Sequence, residues 1–279
     1  MNISVDAPRP ADAVEAIRNR YREDVPATGW NPVIASLLNH RSVRAYLSDP
    51  LASGTLETLV AAASSAPTSS NIQAWSVIAV TDPGKREELA RIAGGQLHIR
   101  QAPLILVWVA DLARAEAVAT RAGVTLLGLD YTETFLLAVI DAALAAQNAL
   151  TAAESLGLGT VYIGALRNDP EAVARLLDLP PRAVAIFGLV IGHPDPAVQT
   201  GIKPRLPQQA VLHRETYSRA VQPEAIARHD AATVSFRTEQ SLPDQAWTDL
   251  LIARLRSVAA LKGRHNLREV FNRLGIKLG

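Results

Sequence analysis

Residues 131–156 read YTETFLLAVIDAALAAQNALTAAESL. The stretch contains neither proline nor glycine and is rich in Ala and Leu, the strongest helix formers. As one helix it would extend about 39 Å at roughly 1.5 Å per residue. Gly157 suits the residue that closes a helix. After the tight Gly157-Leu158-Gly159 turn, Thr160-Val161-Tyr162-Ile163 reads as a strand, with Gly164 at its exit. The helix is apolar almost all the way round, which predicts burial on most sides. Thr134, Asp141, Asn148 and Ser155 recur every seven residues as a narrow polar stripe. The many alanines would let another helix come close, so a core helix or a subunit interface is expected. A membrane span is disfavoured, because Asp141, Gln147, Asn148 and Glu154 would each be costly in lipid.

Composition narrows the classes. The chain has 279 residues, 48% of them hydrophobic, enough for one large core or a core with an appendage. A net charge of +1 gives no global field for nucleic acid or an anionic membrane, and neither is expected as a partner. With no cysteine, disulfides, thiolate nucleophiles and Cys-type metal sites are excluded, and no metal is expected. No charged segment followed by an apolar run opens the sequence, so a secretory leader is not expected and the cytoplasm is the expected compartment.

Working outward, residues 1–30 are polar with Pro8, Pro10 and Pro26, and read as an N-terminal arm, partly ordered at best, with a short helix over 11–23. Helices are expected over 31–39, 51–64, 85–93 and 170–178, the last begun by Asn168-Asp169-Pro170. Strands are expected over 75–81, 103–110 and 182–192, the latter two as continuous apolar runs buried on both faces. Residues 111–130 suggest a short helix and a surface loop, and 193–207 a proline-rich irregular segment. Residues 223–279 read as a charged helical arm rather than a second core. Four strands among helices predict an α+β layered fold. No GxGxxG follows a strand, so a dinucleotide-binding fold of that type is not supported.

Four clusters could carry chemistry. His40-Arg41-Ser42-Val43-Arg44 places two guanidiniums and a hydroxyl where they suit a phosphate, although a solvated basic loop has the same composition. Pro67-Thr68-Ser69-Ser70-Asn71-Ile72-Gln73 offers hydroxyls and amides to a polar heterocycle, or simply to a turn. Gly164-Ala165 lets backbone approach a flat ligand, or merely ends a strand. Lys203-Pro204-Arg205-Leu206-Pro207 holds two cations on a stiff frame, fit for a phosphate or for a basic surface loop.

The order HRSVR, PTSSNIQ, GGQLHI, ESLGLGTVYIGALRN, AIFGLVIGHP and KPRLP resembles the FMN-dependent nitroreductase superfamily. It is most similar to the group A oxygen-insensitive NADPH nitroreductases and the NADPH–flavin reductases. The resemblance covers residues 36–279 and leaves the arm outside. It implies an α+β sandwich with a central, mostly antiparallel sheet flanked by helices, forming a homodimer with FMN in each interface cleft. It also implies a division into an arm (1–30), an FMN-binding core (31–222) and a helical extension (223–279) that adds to the nucleotide site. By the same resemblance, His40, Arg41, Ser42 and Arg44 bind FMN, with the arginines near phosphate and pyrimidine edge. Thr68, Ser69 and Ser70 line the flavin from the partner subunit, and Gln96 bonds its polar edge. Tyr162, Ile163, Gly164 and Ala165 lie along the ring, while Lys203 and Arg205 hold the phosphate. Arg237 matches an arginine that binds the 2′-phosphate of NADPH. Catalysis belongs to FMN rather than to a protein acid or base.

Three departures bear on substrate choice. Ala165 stands where Gly is frequent, which predicts a methyl at the flavin edge. Asn71 replaces an aromatic, which predicts a more polar, open substrate pocket. The 111–130 segment is longer than expected. The implied activity is ping-pong electron transfer from NADPH, with NADH possible, to nitroaromatics, quinones or related acceptors. Rival expectations are a flavin reductase feeding a partner, a flavin-binding protein without turnover, and a phosphate-sugar binder without flavin.

Overall fold

A computed structural model of the chain describes residues 10–25 and 29–279; the start of the expected arm and residues 26–28 lie outside these. Helix α1 spans Pro10–Tyr21 and α2 Pro32–Asn39. Asn31 starts α2 by accepting a hydrogen bond from the Ile34 amide at 2.9 Å, with proline in the first turn. Helix α3 is Thr55–Ser64, shorter than expected because Gly54, at φ 83°, sets its start. Strand β1 (Trp75–Val80), α4 (Pro83–Ile92), α5 (Leu97–Gln101), β2 (Leu104–Asp111) and α6 (Ala113–Ala122) follow. Then come α7 (Thr132–Ser155), β3 (Gly159–Ile163), α8 (Pro170–Leu176) and β4 (Ala183–Gly192). The chain closes with α9 (Gln208–Val211), α10 (Gln222–Glu239), α11 (Trp247–Leu255) and α12 (Leu267–Arg273).

The described residues divide into two compact units. The larger, 42–198 with 262–279, is built on an antiparallel sheet of order β1-β2-β4-β3. Alternation along β2 decides how the layers form. Ile105 and Val107 face one core, with Leu89 and Ile92 of α4, Ile99 of α5 and Val173 of α8. Leu104, Leu106 and Trp108 face the other, with Leu59 and Ala63 of α3 and Ala145, Ala146 and Ala149 of α7. This is the expected α+β sandwich. The small side chains of α7 let it lie close on the sheet, and Gly157, at φ 78°, lets the chain turn into β3.

Burial of α7 on most sides is not observed. Its inward face is fully buried, but Leu136, Ile140 and Leu144 are 49%, 55% and 40% exposed. Among the described residues it is the one helix long and apolar enough to cross a membrane. The polar stripe has local uses instead. Thr134 donates to Gly128 O at 2.6 Å, Asn148 to Ala62 O at 3.1 Å and Ser155 to Ala152 O at 2.8 Å. Asp141, 1% exposed, accepts from the Ser69 and Ala74 amides, each at 3.1 Å.

The appended-arm expectation also needs correction. Val270 and Phe271 of α12 and Ile276 are buried in the sheet unit beside Leu129, Phe135, Val184 and Ile186, and Phe271 meets Phe135 at a tilt of 56° with centroids 5.2 Å apart. The 111–130 segment folds as α6 and a 3-10 turn over Leu127–Asp130. Arg182 fastens it, pairing with Glu116 at 2.7 Å and Asp130 at 2.8 Å.

The second unit comprises residues 1–41 and 199–261, and within it the described part of the arm is well anchored. Helix α1 buries Ala13, Ala16 and Ile17. Just beyond it, Arg22 makes two bonds to the Glu239 carboxylate, at 3.0 and 2.7 Å, and Glu23 pairs with Arg228 at 3.3 Å.

Candidate functional site

In the second unit, the Lys203–Pro207 loop has its prolines inward and its cations outward: Pro204 and Pro207 are buried, whereas Lys203 and Arg205 are exposed. Its backbone is held from two sides. The Arg205 amide donates to Arg20 O at 2.9 Å, and just upstream the Gly201 amide donates to the Gln240 side chain at 2.9 Å. Lys203, Arg205 and Arg237 line one cavity of about 500 Å³. Its apolar wall includes Tyr21, Phe236, Leu242 and Trp247. Arg237 is oriented by bonds to Pro243 O at 2.6 Å and the Gln245 side chain at 3.3 Å. Three cations that share a cavity with aromatic side chains are a donor set suited to phosphorylated aromatic ligands.

His229 lines the same cavity and was not anticipated from the sequence. Its imidazole is buried against Trp247, with ring centroids 5.5 Å apart, and bonds to the backbone of Arg205. Nδ1 has no hydrogen-bond partner. Burial, reinforced by the Arg205 charge, holds the pKa of His229 below the ordinary histidine range. His40 and Arg41 also belong to this unit.

In the sheet unit, Ser42-Val43-Arg44 runs along the outer edge of β3. Ser42 bridges Thr160, and the Val43 amide donates to Thr160 O at 2.9 Å. The approach is so close that a Cβ on Gly159 would sit 2.9 Å from Val43 side-chain atoms. Arg44 is exposed, and its charge adds to burial in lowering the pKa of His98. At the other end of β3, Tyr162 is partly exposed and meets Phe187 edge-on, with centroids 5.3 Å apart. Ile163 is buried, and Ala165 packs against the core, so its methyl is used in packing. Gly164 is backed by the Arg167 guanidinium, which a Cβ would approach to 3.3 Å.

Thr68 and Ser69 line a separate cavity of about 250 Å³ with Leu136, Ile140, Asp141 and Leu144 of α7, and none of Tyr162–Ala165 reaches it. Ser70 and Asn71 are exposed, with φ at 50° and 56°. Asparagine tolerates that left-handed backbone far better than an aromatic residue, which accounts locally for the departure at Asn71. Gln96 precedes α5, and its amide donates to Ala93 O at 2.9 Å.

The comparisons agree with this architecture. Residues 37–193 match the Nitroreductase family, and residues 203–279 match the Nitroreductase family, C-terminal domain. The chain is 44% identical over 189 residues to the FMN reductase (NADPH) of Bacillus subtilis strain 168, covering 67% of this chain and 75% of that protein. It is 42% identical over 200 residues to the oxygen-insensitive NADPH nitroreductase of Salmonella typhimurium, covering 72% and 80%. The solved structure of the NfrA1 nitroreductase from B. subtilis superposes with a TM-score of 0.82 at 36% identity, covering 88% of this chain and 98% of that one. The chain belongs to the nitroreductase family and is an oxidoreductase of that family.

Proposed function

We propose that this chain is an FMN-dependent NADPH oxidoreductase that reduces nitroaromatics, quinones or related acceptors, and that NADH can also serve as donor. The observation that carries the assignment of the phosphate site is the pair Lys203 and Arg205, both outward on a loop whose backbone is pinned. Two cations on one held loop match the charge of a phosphomonoester. By the family resemblance, His40, Arg41, Ser42 and Arg44 are also assigned to FMN, with Arg44 near the pyrimidine edge. Gln96 bonds the polar edge of the flavin, while the Tyr162–Ala165 segment gives the ring a flat backbone surface. Thr68, Ser69 and Ser70 line the flavin of the partner subunit, with Asn71 facing the acceptor. Arg237 takes the 2′-phosphate of NADPH.

Bound FMN supplies two-electron transfer at N5, so nicotinamide and acceptor use the site in turn. The chain's own residues bind and orient. The names of the relatives also favour a second use, reduction of free flavin, as in the FMN reductase (NADPH) of B. subtilis. We place the protein in the cytoplasm as a homodimer, acting on a small-molecule acceptor without nucleic acid or membrane. The test is the absorbance of the purified protein with FMN, followed by anaerobic NADPH and then a nitroarene, a quinone or free FMN. Bleaching by NADPH and recolouring by an acceptor are expected. A protein that gains no flavin band would overturn the assignment, and relative acceptor rates separate nitroarene from flavin reduction.

A further inference from the structure

We propose that Arg20, on the N-terminal helix, is a positioning residue for the phosphate site. This rests on the reading that Lys203 and Arg205 hold the FMN phosphate. Arg20 is 5% exposed, and its guanidinium is spread over three carbonyls. Nε and Nη2 donate to Leu38 O at 3.2 and 2.7 Å, Nη2 also donates to His40 O at 2.5 Å, and Nη1 donates to Lys203 O at 2.9 Å. In return, Arg20 O accepts from the Arg205 amide at 2.9 Å.

One residue thus ties together the end of α2, the start of the His40–Arg44 segment and the Lys203–Pro207 loop. The two basic segments are far apart in sequence, and Arg20, Leu38, His40 and the Lys203–Pro207 loop lie in one compact unit. A buried guanidinium must have its five N–H groups satisfied, and its planar fork fixes the relative placement of the carbonyls it serves. With Lys203 O and the Arg205 amide both held, the loop is ordered before any anion arrives, and binding loses less freedom. The permanent charge of Arg20 also adds positive potential behind the loop. Arg20 lies outside both matched family segments, residues 37–193 and 203–279.

The experiment compares dissociation constants for FMN and for riboflavin, which lacks the phosphate, in the full chain and in Arg20→Ala, Arg20→Lys and Arg22→Ala. The riboflavin-to-FMN ratio isolates the phosphate contribution. Arg20→Ala is expected to reduce that ratio about tenfold or more, a cost of ordering and misplacing two cations, with riboflavin affinity nearly unchanged. Arg20→Lys keeps the charge but not the fork and is expected to recover only part of the ratio. Arg22→Ala removes the Glu239 pair without touching the loop and is expected to leave the ratio alone. Ratios are read in whichever Arg20 variants melt cooperatively; Arg20→Lys stands in if Arg20→Ala does not fold. A folded Arg20 variant with the unaltered ratio would overturn the proposal, as would an equal loss in Arg22→Ala. A parent chain that binds riboflavin as tightly as FMN would instead overturn the underlying assignment of Lys203 and Arg205.

Discussion

Lys203 and Arg205 sit on backbone that is already fixed, so replacing both with alanine should remove charge without unfolding the loop. Each charge-assisted contact to a phosphate contributes about 1.5–3 kcal/mol. The double substitution should therefore weaken FMN binding roughly a hundredfold or more. Equal retention of flavin by the variant and parent after dialysis would exclude these residues as the phosphate site. Arg237 poses a sharper question, because its guanidinium also orders the Pro243–Gln245 turn. If it takes the 2′-phosphate, Arg237→Ala should lower kcat/KM for NADPH about ten- to a hundredfold, the equivalent of one charged contact. NADH, without that phosphate, should be hardly affected, and FMN content should be unchanged. Matching losses for both nucleotides would trace the effect to the turn. Lys203 and Arg205 stand out in the sequence because a short basic motif on a proline frame is a local signal, whereas Arg237 is marked out by the family resemblance alone. Arg20 was not legible, because the partners of its guanidinium lie 18 to 183 residues away and its own neighbourhood reads as a polar arm. His229 was equally hidden: a lone histidine in a charged helix gives no sign that Trp247 will cover it.

Helix α7 shows how an element can be read correctly in extent and incompletely in role. Its length and stop were clear from Ala, Leu and Gly157, and the seven-residue polar stripe was visible, but what the stripe serves depends on which loops fold onto it. Asp141, in the sequence a member of that stripe and an argument against a membrane span, anchors the Ser69–Ala74 loop through two amides. That loop contains three non-glycine residues with positive φ, Ser70, Asn71 and Gln73, so it needs an external restraint. Asp141→Ala should cost about 3–6 kcal/mol, the value of two hydrogen bonds to a carboxylate at about 1.5–3 kcal/mol each. A urea midpoint within error of the parent would contradict this. Helix α12 was misjudged for the opposite reason: Val270, Phe271 and Ile276 are too few to signal a core, yet they complete one. The helices also set an acid limit. Burial lowers the pKa of His98 in α5 and of His229 in α10. The unfolded chain then binds more protons than the folded one in mild acid, so stability is full above about pH 6.5 and falls as pH drops below it. Urea midpoints at neutral and mildly acidic pH should diverge, and His229→Gln should narrow the gap; parallel behaviour of parent and variant would assign the acid sensitivity elsewhere.

At the scale of the whole molecule, the exposed face of α7 is the feature that one chain leaves incomplete. Leu136, Ile140 and Leu144 follow helical spacing along the rim of the Thr68–Ser69 cavity, and Leu127 and Tyr131 just before the helix are 76% and 57% exposed. Fully burying a leucine or isoleucine contributes about 1.5–3 kcal/mol, so covering these half-exposed side chains offers several kcal/mol to a second copy. If the Thr68–Ser70 loop lines the flavin of the partner subunit, as proposed above, assembly and cofactor retention are linked. Light scattering at micromolar concentration should give twice the 29.9 kDa chain mass. Leu136→Glu with Ile140→Glu places two carboxylates on that face without altering the inward alanines, so each chain should keep its fold. The variant should run at the mass of one chain, with near-parental helicity and a marked loss of bound FMN. A variant that stays dimeric would move the interface off α7. One that becomes monomeric yet keeps its FMN would show that each chain builds its flavin site alone.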